Sequence, residues 1–580
     1  MAWASIGALL LLLTHNTSAN QRQCLANINN MTIYGKTDNQ GHLLSPSTTN
    51  ATAITYKLCV SQCGNDQQAF QWTVFSQQFG VWLLPWLALI SQIPFGANDN
   101  LDNLETMLLT VGSPVLAAYS LGLTVLNERW IIRLFSKYRY PNAHEAVRIL
   151  NSLQQSPLRV DSNDAWLASL IVLPQNKDWW REILIWLDYT HTWSISAVAS
   201  IAWVIIAYVF TIIDYFSQGI PTTANDNGQG IGSIGTIWLW LLAIVVGWLK
   251  VSPKCDSKRL LQAVERANSI AYVATTDSIP CEARTVSDRR AISLNFADDN
   301  EARRDERSTS PIFNYSRLFF WVEAVKVVSD AFNNASDRSH HHEPIIPGVK
   351  LHPCREDDSL VRLAKASQVE EYCLPRYEDT RRSQSQGRWG LDSSTAIRIS
   401  IASLFALILQ WGTTGAAIII NWFVPTIGLG CRSASFIIYG ALSTIVWIML
   451  LISSLLTYYS VCTTERRLLK GHGAVSISYR IMSWFSVLLR RSGKIIATLN
   501  TVWIISTALL QFGSFYDRCY CNSNVFGSRD NAYNVIIPNQ DDATRMREAW
   551  IGGFSLASMS TALFIGFVFL LTNAPYPNSI

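Results

Sequence analysis

Three carboxylates stand at the margins of long apolar runs: Glu105, Asp188 and Asp214. An acid at the rim of a membrane-embedded pocket can move a proton on a lipophilic substrate. These three are the candidate catalytic residues if the chain is an embedded enzyme of the cyclase or isomerase type. The apolar cores hold no Lys, Arg, Asp or Glu. Intramembrane charge is the usual mark of proton relays and voltage sensors, so the pattern argues against a proton-coupled carrier, a voltage sensor or a retinal protein. A facilitator of neutral solutes stays open. The polar residues inside the runs are uncharged: Gln410, Thr413, Thr414, Asn421, Asn500, Thr501 and Gln511. Interhelical hydrogen bonds, worth roughly 0.6–2 kcal/mol each, account for such residues. A pocket for an uncharged lipophilic molecule is the functional alternative.

Metal chemistry has weaker support. His340-His341-His342-Glu343 lies near His352 and Cys354, but consecutive side chains diverge and no helical His pair four residues apart occurs. The run reads as a surface loop. Asp298-Asp299-Asn300-Glu301 resembles a metal–diphosphate motif without completing it and reads as a solvated charge run. Phosphate-loop, nucleophile-elbow and paired zinc spacings are missing, so no cofactor is assigned. A net charge of +4 over 580 residues gives no electrostatic footprint for nucleic acid.

The elements that would carry these residues are membrane helices. Residues 1–19 read as a secretory signal, with the apolar core Ala8-Leu9-Leu10-Leu11-Leu12-Leu13 and a small-residue end. Residues 20–73 then form a luminal or extracellular region containing Cys24, Cys59 and Cys63, with Asn30 and Asn50 as glycosylation acceptors. Eight apolar segments follow. Residues 74–95, 105–126, 193–213 and 234–251 make the first part of a membrane domain (74–252). Residues 397–423, 435–461, 495–512 and 551–572 make the second (395–573). A helix needs about 20 apolar residues to cross. Between the two parts lies a hydrophilic cytoplasmic insert, 253–394, partly disordered and a candidate docking site for a cytosolic protein. Within it, 257–275 and 316–332 have helical periodicity, while 288–309 is densely charged and reads as disordered or surface. The tail, 574–580, is cytoplasmic.

Basic residues mark the cytoplasmic side. That rule places the loop 466–494, both ends of the insert and the cluster Arg129–Arg133–Lys137–Arg139 inside. An odd number of crossings must then lie between the secreted amino end and Arg129. Residues 74–95 are the weaker crossing, with Gln77, Gln78, Gly80, Gln92 and, mid-run, Pro85. They read as a re-entrant or interfacial segment bent at Pro85. The fold class is thus an all-α polytopic membrane protein with about seven transmembrane helices plus that segment. Gly112-Ser113-Pro114 with Ala117, Ala118, Ser120 and Gly122 reads as a small-residue packing face. Cysteine parity agrees with the topology. Six cysteines (Cys24, Cys59, Cys63, Cys431, Cys519, Cys521) fall outside and can pair in an oxidising compartment. Cys255, Cys281, Cys354, Cys373 and Cys462 fall inside.

Phe75-Ser76-Gln77-Gln78-Phe79, Trp82-Leu83-Leu84-Pro85-Trp86, Asn127-Glu128-Arg129-Trp130 and Trp186-Leu187-Asp188-Tyr189-Thr190-His191-Thr192-Trp193 resemble a group of integral membrane proteins of filamentous fungi. The resemblance covers the first half of the membrane domain. It implies a fungal source and a membrane location in the secretory pathway, and no activity. The leading functional expectation is a receptor-like or scaffolding membrane protein. Its partners are the lipid bilayer, a cytosolic protein at 253–394, and a lipophilic or neutral small molecule.

Overall fold

The computed structural model describes residues 21–64, 70, 72–93, 100–189, 193–217, 235–277, 279–295, 304–346, 364–375, 392–469 and 477–573. The signal segment, Asp298–Glu301, His352, Cys354 and the tail 574–580 lie outside the described residues.

In chain order, α1 is Gln21–Asn29, β1 Lys36–Thr37 and β2 Ala53–Thr55. Helix α2 is built from Trp72–Gln78, a π-helical turn Phe79–Leu83 and Leu84–Ile90. Then come α3 (Asn100–Gly112), α4 (Pro114–Phe135), α5 (Ala143–Ser152), β3 (Leu158–Val160), α6 (Trp166–Val172), α7 (Lys177–Leu187), α8 (Ile195–Ser217) and α9 (Leu239–Val251). The insert contributes α10 (Ser257–Ser269), β4 (Tyr272–Val273), β5 (Cys281–Glu282), β6 (Ile292–Leu294), α11 (Leu318–His340) and α12 (Ala366–Cys373). The chain finishes with α13 (Ser393–Trp422), α14 (Cys431–Leu469), α15 (Ile477–Phe512), β7 (Tyr533–Val535) and α16 (Gln540–Asn573).

Among the described residues, five helices are long and apolar enough to cross a membrane: Ile195–Ile213, Ser393–Trp422, Cys431–Cys462, Arg480–Phe512 and Gln540–Asn573. A sixth is counted only if Asn103–Gly112 and Pro114–Phe135, bent by 103° at their junction, are one span. This fits an integral membrane protein. Phe75–Ile90 and Gly235–Val251 are shorter apolar helices.

Two expectations about the opening stretch are corrected. Residues 105–126 are not one straight helix, because the chain breaks at Ser113 between α3 and α4. Residues 74–95 are not bent into a hairpin at Pro85. The helix continues through it, with the wide turn Phe79–Leu83 just ahead and the Leu84 amide bonding to Phe79 O. Proline clashes with the carbonyl four residues back, and a π-turn displaces that region of the ladder.

The bundle has two distinct ends. At one, β1, β2 and β7 form an antiparallel sheet with Lys36 opposite Ile54 and Ala53 opposite Val535. Three disulfides staple this cap: Cys24–Cys63, Cys59–Cys519 and Cys431–Cys521. They join the six cysteines that charge placement groups on one side. The cap's own core is small, with Leu25, Ile28, Ile54, Leu58 and Ile536 around the Cys59–Cys519 bridge. Lys36 is fully buried, and its ammonium donates to Met31 O (2.7 Å) and Pro46 O (3.1 Å), with Thr48 O also in reach.

At the other end, α5–α7 and α10–α12 form a folded helical subdomain. Its core runs without a break into that of the bundle. Two short antiparallel ladders, β3–β6 and β4–β5, close it. The β6 strand and the buried Glu306 belong to the charged stretch that reads as disordered or surface. Trp179, Trp180 and Trp321 are buried with their indole N–H groups satisfied by Asn268 Oδ1 (3.0 Å), Leu170 O (3.0 Å) and Leu150 O (2.9 Å). A buried indole usually takes such a partner.

Candidate functional site

The most unusual feature of the bundle interior is the α3–α4 break. Pro114 occupies the first turn of α4, where no amide hydrogen is needed. Ser113 takes a non-helical conformation (φ −143°, ψ 80°), and its side chain accepts from the Leu116 amide. A residue before proline is disfavoured in the α region, so Ser113-Pro114 stops one helix and starts the next. Gly112 is needed for a different reason. A Cβ there would lie 2.0 Å from Ala497 O, so only glycine lets α3 approach α15 this closely.

A break deep in an apolar bundle frees carbonyl oxygens, each costing several kcal/mol if left without a partner. Here Val111 O and Gly112 O are met by side chains, and further bonds tie the surrounding backbone. Tyr439 donates to Val111 O (2.9 Å). Asn500 Nδ2 donates to Gly112 O (2.8 Å) and to Tyr439 O (3.1 Å). Thr501 donates to Leu108 O (2.6 Å), and Ser113 donates to Ser443 O (2.8 Å). Tyr439, Ser443 and Trp447 recur every four residues on one face of α14. Trp447 packs edge-on against Tyr119 of α4, with ring centroids 6.2 Å apart.

Among the described residues, four polar atoms around the break have no hydrogen-bond partner: Ser443 Oγ, Asn500 Oδ1, Tyr119 Oη and Trp447 Nε1. All belong to buried residues. The set contains donors and acceptors but no charge. It can hold a neutral polar group, and it supplies no acid or base for chemistry near neutral pH.

The candidate carboxylates are not gathered here. Glu105 is on α3, half-exposed, in an ion pair with Lys494 (2.6 Å). That pairing brings the first half of α3 beside Lys494 of α15. Asp188 caps α7 and is exposed. Asp214 is in α8, and its side chain lies outside the described residues. His341 Nδ1 faces its own turn, at 2.8 Å from Asp337 O and 3.5 Å from Asp337 Oδ1. No group of three or more metal-ligating residues occurs among the described residues.

Of the uncharged residues singled out in the sequence, Asn500 and Thr501 belong to the break. Gln410, Thr413 and Thr414 form their own cluster on α13, where Gln410 Nε2 donates to Thr414 (2.7 Å). Asn421 lines a separate polar pocket of about 20 Å³ beneath the cap, with Thr426, Arg432, Ser433, Asn522 and Asn524. That volume holds about one water molecule. Ser443, Tyr439 and Tyr119 carry no sequence signal of their own. Only the Gly-Ser-Pro triplet marks the site, as a helix stop followed by an N-cap and a first-turn proline.

Comparison with protein-family models, with curated proteins and with solved structures finds no match.

Proposed function

We propose that the chain is a multi-pass membrane protein of the secretory pathway, of the type that the motif resemblance associates with filamentous fungi, with a receptor-like or scaffolding role. In this reading the cap faces the lumen or cell exterior and the helical subdomain faces the cytosol. The observation that carries it is a folded surface at each end of one bundle, each fixed to the bundle through segments distant in sequence. The cap is closed by a disulfide between residues 460 positions apart, Cys59 and Cys519. The subdomain docks through Asn314, which donates to Thr124 Oγ1 of α4 (3.0 Å), and through Tyr315 O, which accepts from Ser454 of α14.

Three observations support the orientation. Disulfides persist in oxidising compartments, and among the described residues they are confined to the cap. The acceptor residues Asn30 and Asn50 are exposed there. The subdomain holds two further Asn-x-Ser triplets, at Asn314 and Asn334, but Asn314 is buried and Asn334 Nδ2 donates to Cys373 O (2.9 Å).

The neutral unpartnered atoms at the α3–α4 break favour one second reading, a pocket for an uncharged lipophilic molecule in an embedded enzyme or facilitator. Deleting the gene and comparing extracted metabolites separates the two. A receptor or scaffold leaves no single lipophilic metabolite missing or accumulated. Accumulation of one precursor contradicts that role and moves attention to Glu105, Asp188 and Asp214.

A further inference from the structure

We infer that α3 and α4 form a re-entrant hairpin that enters from the subdomain side and turns back at Ser113, and that α2 makes the crossing instead. The inference rests on the proposal that cap and subdomain lie on opposite sides of the membrane.

The argument uses neighbouring helices as depth markers. Helix α15 ends beneath the cap at Phe512, and at about 1.5 Å per residue Asn500 lies about 18 Å below that end and Lys494 about 27 Å. Gly112 is bonded to Asn500, whereas Glu105 is paired with Lys494. Helix α3 therefore starts deeper than it finishes. Its sharp end is mid-bundle, next to Ser443, which is also about 18 Å along α14 from Cys431. From there α4 heads away from the cap. Asn127 and Trp130 meet Arg398 in the opening turns of α13, with the guanidinium 4.0 Å from the Trp130 ring. Phe135 then packs on Phe332 of the subdomain at 5.8 Å.

The 103° bend exceeds a right angle, so α3 adds nothing to the advance made by α4. The apolar part of α4, residues 114–126, covers only about 20 Å, against a hydrocarbon core of about 30 Å. The pair cannot cross. Non-helical backbone at that depth is tolerated only when enclosed by protein, which the bonds from Asn500, Tyr439 and Thr501 provide.

Helix α2 has the opposite character. Phe75 sits against Phe512 at the capped end, with centroids 6.5 Å apart. Trp86 lies 6.3 Å from Trp238, near the start of α9. Helix α9 then runs down to Lys250, over the Phe569 ring at the far end of α16. Beyond the end of α2, Gln92 accepts from Ser196 in the first turn of α8 (3.3 Å). Helix α8 rises from there, and its Tyr208 reaches Ser558 (3.3 Å). The end of α2 and the start of α3 thus share the subdomain side. With α8, α13–α16 and the apolar helix Gly235–Val251 (α9 with the turn ahead of it, about 25 Å) crossing once each, the crossings number about seven and leave the carboxyl end on that same side.

The test is a flexible linker inserted after Asn98 in the full-length chain, carrying both a glycan acceptor and a site for a protease expressed in the cytosol. Native glycans at Asn30 and Asn50 and a tag after Ile580 report the two reference sides independently. If those references fall on one side, the two-sided reading fails by itself. With the references opposed, we expect cleavage after Asn98 to go to completion and the linker to carry no glycan. A glycosylated, protease-resistant linker overturns the hairpin. Should the insertion prevent folding, the pair Glu105→Cys and Lys494→Cys treated with a bismaleimide decides the matter. A cross-linked 105–494 peptide is expected, and its absence in a chain that keeps its cap disulfides contradicts the inference.

Discussion

The cap and the subdomain hold themselves together by different means. The cap has short strands, a handful of buried aliphatic side chains and three disulfides. The subdomain has long amphipathic helices, a core fused to that of the bundle, and buried cysteines left as thiols. A small unit buries too little apolar surface to offset its conformational entropy and needs covalent staples. A unit that shares the core of a large bundle does not. Polar burial differs too. The cap buries a lysine ammonium against neutral carbonyls. The subdomain buries Glu306 against Arg159 (2.9 Å) and sets Arg317 on the carbonyls of Glu306 (2.8 Å), Ser310 and Phe313.

This contrast can be broken from either side. The largest effect is expected from Trp321→Ala, which removes a fully buried indole and its bond to Leu150 O. Such truncations cost about 3–5 kcal/mol. Protease digestion should then cut the subdomain while the cap remains resistant; equal loss at both ends would show that they do not fold as separable units. Next is Cys59→Ser. Loss of a native disulfide in a small domain costs about 2–5 kcal/mol. The cap should become protease-sensitive and Trp321 should stay protected.

Lys36→Met is smaller. It keeps the stem but leaves carbonyls without a donor, at about 1–3 kcal/mol, read as a lower unfolding temperature of the cap alone. The mildest probe is alkylation of thiols in the folded protein. Burial pushes the thiols of Cys255 and Cys373 up to about 12, so each remains protonated near neutral pH and is a poor nucleophile. Mass spectrometry should find both unlabelled until denaturant is added. Rapid labelling of either would mean that the subdomain opens easily.

Much of this was legible in the amino-acid sequence through simple physics. Apolar length located the five helices long enough to cross a membrane, helical periodicity located the first part of α11, and charge placement grouped the six cysteines that the cap joins. The partners of those cysteines were not legible, because Cys59 and Cys519 meet only after the chain returns through the whole bundle. The break at Ser113 carried a local signal that a competing one concealed. Gly112, Ala117, Ala118 and Gly122 read as a helix-packing stripe, while Ser113 and Pro114 in fact stop and restart the helix. Pro85 carried the opposite error, since a wide turn next to it lets the helix continue. The role of Trp179 and Trp180 as core residues depends on Asn268 and on Leu170 O, supplied by α10 and α6, and no local pattern reveals such partners.

The central claim is that cap and subdomain lie on opposite sides of a membrane, with the cap in the oxidising compartment. Glycosidase treatment of the full-length protein, compared with the Asn30→Gln and Asn50→Gln double variant, tests it most directly. The account predicts that glycosidase lowers the apparent mass of the unmodified chain and leaves the double variant unchanged. A shift that persists in the double variant and maps to Asn314 or Asn334 would contradict it.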